Sequence, residues 1–395
     1  MRYFLHFCLA SLLLTAALAG FNYRVDPYAI YQEYLNDGTP IRVMNERIFK
    51  TVKLARTHSD VVFIGSSRTD IGIGREQPAL ASKQLSNLAT FGQPILETRR
   101  LFELAVREGK PHTVVIGLDF FAFNTLFAPP SDYVEDNYTA LRPASLLLSV
   151  STLTDSLSKY RHPLPVTGDC CYANGFRLAN DAAYLSGKYH HYFAASERMY
   201  LMEKYLPYPQ CAFAFTPAGN EHRSSLADLR AIFELAQQQK IDLRLFISPS
   251  HARQWETLAA AGLWKDWEYW KQQLVALNEQ TAAQTGKPAF PLWDFSGYDA
   301  VSSEDLPDEE TSGLMKNYSD SSHYVPALGQ RIIARMFGAN DNWGLTLNHD
   351  NLSNHLAQIR QARQQYRATH PRDIAEIETL ARETRQAKHC PANSS

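Results

Sequence analysis

The stretch Val61-Val62-Phe63-Ile64-Gly65-Ser66-Ser67-Arg68 decides how this chain is read. Four consecutive apolar residues that stop abruptly at Gly-Ser-Ser describe a buried strand ending in a turn. In an open parallel sheet, ligands sit in the crevice beyond the carboxyl ends of the strands, so this turn puts a hydroxyl where chemistry can occur. A serine hydroxyl is a poor nucleophile until an imidazole takes its proton, and the imidazole must be held in one tautomer by a carboxylate. Far downstream, Asp320-Ser321-Ser322-His323 supplies both groups. An Asp three residues ahead of a His can fold its carboxylate back to the near ring nitrogen within one turn, leaving the far nitrogen facing outward. Ser67, Asp320 and His323 therefore offer a nucleophile, an orienting acid and a base, in that order along the chain.

Outward from this strand, helical and extended patterns alternate. Met44 to Arg56 reads as a helix leading into strand Asp60 to Ile64, and the next apolar segment, Gln84 to Ala89, ends at Thr90-Phe91-Gly92. Pro94 opens a helix that runs to Glu108 and stops at Gly109. The third strand, Thr113 to Asp119, is apolar on both faces, as a central parallel strand requires. A helix over Ser224 to Gln239, a strand over Leu243 to Ile247, a long helical stretch from Arg253 to Gln284, a strand over Phe290 to Phe295 and a helix from Pro326 to Phe337 complete the pattern. Such alternation predicts an α/β fold of three layers, α/β/α, with a parallel sheet, over residues 58–337. The long insertion 131–219 is expected to cap the strand ends. Trp264, Trp267 and Trp270, spaced by three, read as a core stripe in preference to a sugar platform. Residues 338–395 form a polar helical extension, with helices over Leu352 to Ala368 and Asp373 to Lys388 packed along the domain edge or offering a partner-docking hairpin.

A chain of 395 residues, 45% hydrophobic and 20% charged, can build one large or two modest globular domains. Its net charge of −2 gives no electrostatic case for nucleic acid. Residues 1–21, with Arg2 ahead of the apolar run Tyr3 to Phe21, read as a signal peptide or signal anchor that exports the rest of the chain. Ala17-Leu18-Ala19 fits a cleavage site, whereas Phe21, Tyr23 and Arg24 would make an interfacial collar for a retained anchor, the reading favoured here. Residues 22–57 then form a juxtamembrane segment and lead-in helix. Cys8 lies in the apolar run, which leaves Cys170, Cys171, Cys211 and Cys390 in a compartment where disulfides persist. Adjacent cysteines rarely bond to each other, so Cys211 is expected to pair with Cys170 or Cys171. No second Cys or His pair shows ligand spacing, so no metal is expected, and no cofactor is expected either.

The Gly65-Ser66-Ser67 block after the first strand and the late Asp320-x-x-His323 resemble the SGNH hydrolase superfamily, over residues 58–337 in outline. The resemblance implies a flavodoxin-like sheet, a catalytic Ser67, His323 and Asp320, and an oxyanion hole that draws on the Ser67 and Gly92 amides. The family's third block usually carries Gly-x-Asn-Asp, but here the third strand ends Gly117-Leu118-Asp119-Phe120. Either Asn124 then supplies the missing donor or the hole has fewer donors, at a cost of roughly 10²- to 10³-fold in rate. With its anchor and its Gly-Ser-Ser-Arg block, the chain looks most like the envelope branch, which includes the alginate O-acetylation proteins and the D-alanyl-transfer protein DltD. That likeness implies a bacterial-type envelope location, a periplasmic or extracytoplasmic domain, a glycan substrate and a membrane-bound acyltransferase partner. It leaves transferase, esterase and inactive scaffold all open. Arg68 would hold a substrate carboxylate or pair with an acid, Asp119 stands beside it as a further substrate contact, and His251 would touch substrate or start a helix at the surface.

Overall fold

The computed structural model describes residues 1–32, 40–162, 171–178, 185–219, 223–307 and 313–390. Six strands form one sheet: β1 (Val61–Ile64), β2 (Leu85–Asn87), β3 (Thr113–Leu118), β4 (Asp242–Ile247), β5 (Leu292–Asp294) and β6 (Leu345–Thr346). Their spatial order is β2-β1-β3-β4-β5-β6; the first five run parallel, and β6 is antiparallel to β5. The fully parallel expectation is corrected at this edge. Leu345 and Thr346 are both exposed, so no apolar run marks the strand in the sequence.

Among the described residues thirteen α-helices form: α1 (Arg2–Val25), α2 (Glu46–Ile48), α3 (Ser67–Gly72), α4 (Ile95–Leu104), α5 (Arg142–Leu147), α6 (Val150–Arg161), α7 (Tyr189–Met199), α8 (Ser225–Gln239), α9 (Ala252–Ala260), α10 (Trp264–Thr285), α11 (Pro326–Met336), α12 (His349–Thr369) and α13 (Pro371–Ala387). Strand side chains alternate between two cores, as the period of two demands. Val62, Ile64, Val114, Ile116, Leu243 and Leu245 join one core with Phe102 of α4, Phe233 of α8 and Trp270 of α10. Val61, Phe63, Val115 and Phe246 join the other with Ile332 and Ile333 of α11. Helices thus cover both faces. The single helix expected over Arg253 to Gln284 is broken at Gly262, whose φ of +84° is left-handed, giving α9 and α10. Trp267 and Trp270 are fully buried in the core.

The insertion has two destinations. α5 and α6 pack against the last turns of α1, whereas α7 and the wide turn Tyr200–Tyr205 lie over the strand ends. The lead-in segment also belongs to the body of the fold. Lys50, fully buried, bonds Asp70 of α3 at 2.6 Å, Glu46 at 2.8 Å and the Ala89 carbonyl at 2.6 Å.

Cys211 is joined to Cys390, 179 residues away, and not to Cys170 or Cys171 as expected. Cys170 lies outside the described residues, and Cys171 is buried, its carbonyl accepting from the Ile41 amide at 2.9 Å. The correction has a topological cause: α13 runs back over the insertion, where the Lys388 ammonium bonds the Met202 carbonyl, so the chain end arrives beside Cys211. The polar C-terminal helices are fixed by charge. Glu256 of α9 takes Arg363 at 2.8 Å and Arg367 at 2.7 Å, and Asp294 at the end of β5 takes His355 at 2.9 Å. α1 has a mean hydropathy of 2.0 over an 18-residue window that is wholly unburied, so by length and composition it is able to cross a membrane.

Candidate functional site

In the strand order β2-β1-β3, chain connections leave β1 in opposite directions, and the crevice between β1 and β3 is where open α/β sheets bind ligands. Ser67 follows β1 and Asp119 follows β3, so both stand at this crevice. The turn between β1 and α3 can form only with glycine at its corner. A side chain at Gly65 would collide with the Thr69 hydroxyl and press on the Gly117 carbonyl. Ser66 then caps α3, its hydroxyl accepting from the Arg68 amide at 3.2 Å, and Ser67 is the first helical residue.

Asp320 and His323 lie in a tight loop ahead of α11, closed by a Tyr318–Tyr324 bridge and by the Ser319 amide donating to the His323 carbonyl at 3.0 Å. Asp320 Oδ1 accepts from the Ser322 amide at 2.7 Å, the His323 amide at 3.0 Å and the Ser196 hydroxyl of α7 at 3.2 Å. Asp320 Oδ2 is 2.7 Å from His323 Nδ1. A carboxylate only accepts, so Nδ1 carries the proton, Nε2 is left as an acceptor, and Ser67 Oγ donates to it at 2.9 Å. Burial pushes the Asp320 carboxyl up, but His323 and the two backbone amides outweigh it and hold the group below the ordinary Asp value. The structure thus joins Ser67, His323 and Asp320 in one hydrogen-bonded chain. Ser67 is 7% exposed and the His323 side chain 13%, so both are largely shielded from solvent.

What brings α3 and this loop into register is close packing. Tyr324, next to His323, packs directly on Gly72 of α3, where any side chain would overlap its ring. Gly329 of α11 sits directly on the Gly72 carbonyl.

The remaining residues singled out in the sequence have structural partners of their own. Arg68 is buried and donates to Asp119 at 3.0 Å and to the Ser322 hydroxyl at 3.0 Å, with its guanidinium 5.2 Å from the centre of the Tyr200 ring. Burial opposes its charge, but Tyr200 and Asp119 outweigh that, and the group is held above the ordinary Arg value. The other Asp119 oxygen accepts from Ser66 Oγ. Arg68 and Asp119 therefore bond to each other and to Ser322 and Ser66, beside the Ser67–His323–Asp320 chain. Asn124 is buried, its amide donating to the Lys204 and Ala212 carbonyls at 2.9 and 3.3 Å and its oxygen accepting from the Ala214 amide at 3.1 Å, so it ties the cap together. Gly92, at φ +61°, turns the chain beside Phe127 and the Lys204 ammonium. Lys204 carries no signal in the sequence; its Nζ lies 3.9 Å from the centre of the Phe127 ring, and burial brings its pKa down to about 8. Ser196, Tyr200 and Ser322 stand around the Ser67–His323–Asp320 chain and were not singled out in the sequence. Of these, only Ser322 sits inside a motif that could have drawn attention to it.

His251 is buried, where a helix start at the surface was one expectation. It caps α9, Nδ1 accepting from the Arg253 amide at 3.2 Å, and Nε2–H donates to the Glu304 carbonyl at 2.6 Å. Burial, aided by the Arg253 charge, brings its pKa down to about 4 from the ordinary 6.5. The folded state therefore keeps this ring neutral, and the stability that depends on neutrality is complete above pH about 6.5 and lost as pH falls toward 4. The loss over that window should be on the order of 3 kcal/mol. Denaturant midpoints at pH 7 and pH 4.5 should fall steeply for the wild type and less steeply for His251→Asn, which retains a capping side chain. Parallel losses in the two chains would rule out His251 as the source.

Comparison with protein-family models, curated proteins and solved structures finds no match to this chain.

Proposed function

We propose that this chain is a membrane-anchored, exported serine-dependent acyl-ester enzyme of the SGNH type with a flavodoxin-like sheet, an O-acyltransferase or esterase acting on an envelope or extracellular glycan. The observation that carries the reading is the Ser67–His323–Asp320 chain, at 2.9 and 2.7 Å, in the crevice beyond β1 and β3. Ser67 Oγ attacks the ester carbonyl while His323 Nε2 takes its proton. The tetrahedral oxyanion would sit against the Ser67 amide, which has no partner inside the helix at its first position, and the Gly92 amide. Collapse breaks the acyl–oxygen bond, and the proton returns from His323 to the leaving hydroxyl, giving acyl-Ser67 and a free alcohol. A glycan hydroxyl, or water, then attacks acyl-Ser67 by the reverse sequence. Transfer in place of hydrolysis requires that water be kept from the acyl-enzyme, and the low exposure of Ser67 and His323 supports that reading.

Envelope placement is supported by the apolar α1 and by the Cys211–Cys390 disulfide, which suits an oxidising compartment. One observation favours a second reading, an inactive glycan-binding or scaffold domain: the Asn124 amide is committed to cap carbonyls, so the oxyanion would rely on backbone donors. The deciding experiment is labelling of the intact protein with a fluorophosphonate serine probe. Stoichiometric labelling that disappears in Ser67→Ala is expected. A wild-type protein that is folded but unlabelled would favour the scaffold.

A further inference from the structure

We propose that an open cavity at the foot of α1 binds the phosphate headgroup of an anionic membrane lipid; the proposal rests on the reading of α1 as a membrane-crossing helix. The cavity measures about 810 Å³ and is lined by Arg24, Arg42, Lys159, Phe21, Met44 and Tyr160 among others, with no carboxylate among the described residues that line it. Arg24 lies in the last turn of α1, Lys159 of α6 also donates to the Asp26 carbonyl at 2.7 Å, and Arg42 comes from the lead-in segment, so three separate elements bring cations to one opening. Two Arg42 nitrogens, Nε and Nη1, are buried with no hydrogen-bond partner among the described residues. A buried guanidinium edge without an acceptor is costly, and a phosphate oxygen pair is the ligand whose geometry satisfies it. The apolar share of the lining suits a glycerol and acyl stem better than a free ion.

The foot of α1 is rigid, which fixes the height of this cavity. Asn22, fully buried, donates to the Leu147 carbonyl at 2.9 Å and accepts from the Ser156 hydroxyl at 3.0 Å. Asp26 accepts from the Ile30 and Tyr31 amides at 2.8 and 2.9 Å, closing the turn at the end of the helix. At 1.5 Å per residue, an apolar helix starting near Tyr3 crosses a hydrocarbon core of about 30 Å in about 20 residues, which brings Phe21 and Asn22 to the headgroup layer. Side chains around this level are apolar and unusually exposed: Leu148 is 52%, Val150 72% and Tyr160 70% exposed, next to the α1 contact. The cavity therefore opens at the depth where lipid phosphates lie.

The test uses the full chain. Purified in detergent, it should retain phosphatidylglycerol over phosphatidylcholine in native mass spectrometry, by about tenfold or more. Arg42→Gln should cut that preference at least fivefold, and Arg24→Gln, at an exposed residue, should cut it in the same direction. Equal retention of the two lipids, or a preference untouched by both variants, would overturn the proposal. Displacement of the lipid by millimolar inorganic phosphate would assign the site to a free anion and overturn the lipid source. A nitroxide at Leu12 in lipid nanodiscs separates the two layers of the argument. Oxygen accessibility there without lipid preference sinks the cavity alone, whereas water accessibility at Leu12 sinks the anchor reading with it.

Discussion

Ser67→Ala and His323→Ala should each lower turnover of an activated acetyl ester, or transfer of acetyl to a glycan acceptor, by about 10⁴-fold or more, and to nearly the same depth. The equality comes from the geometry. Ser67 Oγ without His323 Nε2 at 2.9 Å keeps its proton, and the imidazole without Ser67 has no nucleophile to serve, so the two losses do not add. Asp320→Asn should cost less than either, because it leaves a side chain in the loop while removing the charge that fixes Nδ1–H. Ser66→Ala is the sharp control. Its hydroxyl faces Asp119 and caps α3, so its loss should appear as about 1 kcal/mol of stability and a modest rate effect. A dead Ser66→Ala with an active Ser67→Ala would move the nucleophile by one residue. An activity untouched by either would place the chemistry elsewhere.

What could be read in the sequence is what short-range chemistry dictates. The β-branched run Val114-Val115-Ile116 between polar turns favours a strand buried on both sides, and Pro94 and Pro326 suit the starts of helices, so these elements lie within a few residues of where the sequence places them. Asp320 and His323 were legible because their spacing lets one loop hold both partners. The rest depends on residues distant in the chain. Cys211 meets Cys390 only because α13 doubles back. Arg68 turns inward only because Asp119, Ser322 and Tyr200, from three other segments, surround it. Nothing local to Asn124 says that its amide will bind carbonyls 80 and 88 residues away. β6 left no trace because two exposed residues at a sheet edge need no apolar pattern.

Gly72→Ala should lower the same activity by about 10²-fold while leaving a folded protein, although residue 72 touches no substrate. Gly72 ends α3, five residues beyond Ser67, and Tyr324 is the residue after His323. Their contact is a direct link between the two halves of the site, beside the Arg68–Ser322 hydrogen bond, and it is a link without slack. A methyl at position 72 would overlap the fully buried Tyr324 ring, and the Gly72 carbonyl cannot retreat because Gly329 of α11 already abuts it. Either α3 or the Asp320–Tyr324 loop must therefore shift. Lys50 ties α3 at Asp70 to the lead-in segment, so the loop is the part expected to yield, carrying His323 away from Ser67 Oγ. Overpacking of this kind costs about 1–3 kcal/mol of stability, a smaller effect than the one on rate. Adding Tyr324→Leu to Gly72→Ala removes the ring that the methyl strikes, so the double variant should be more active than the product of the two single losses predicts. Fluorophosphonate labelling of Ser67 should slow with turnover in Gly72→Ala and recover with it in the double variant. A Gly72→Ala protein with wild-type labelling would mean that the contact does not set the Ser67–His323 distance.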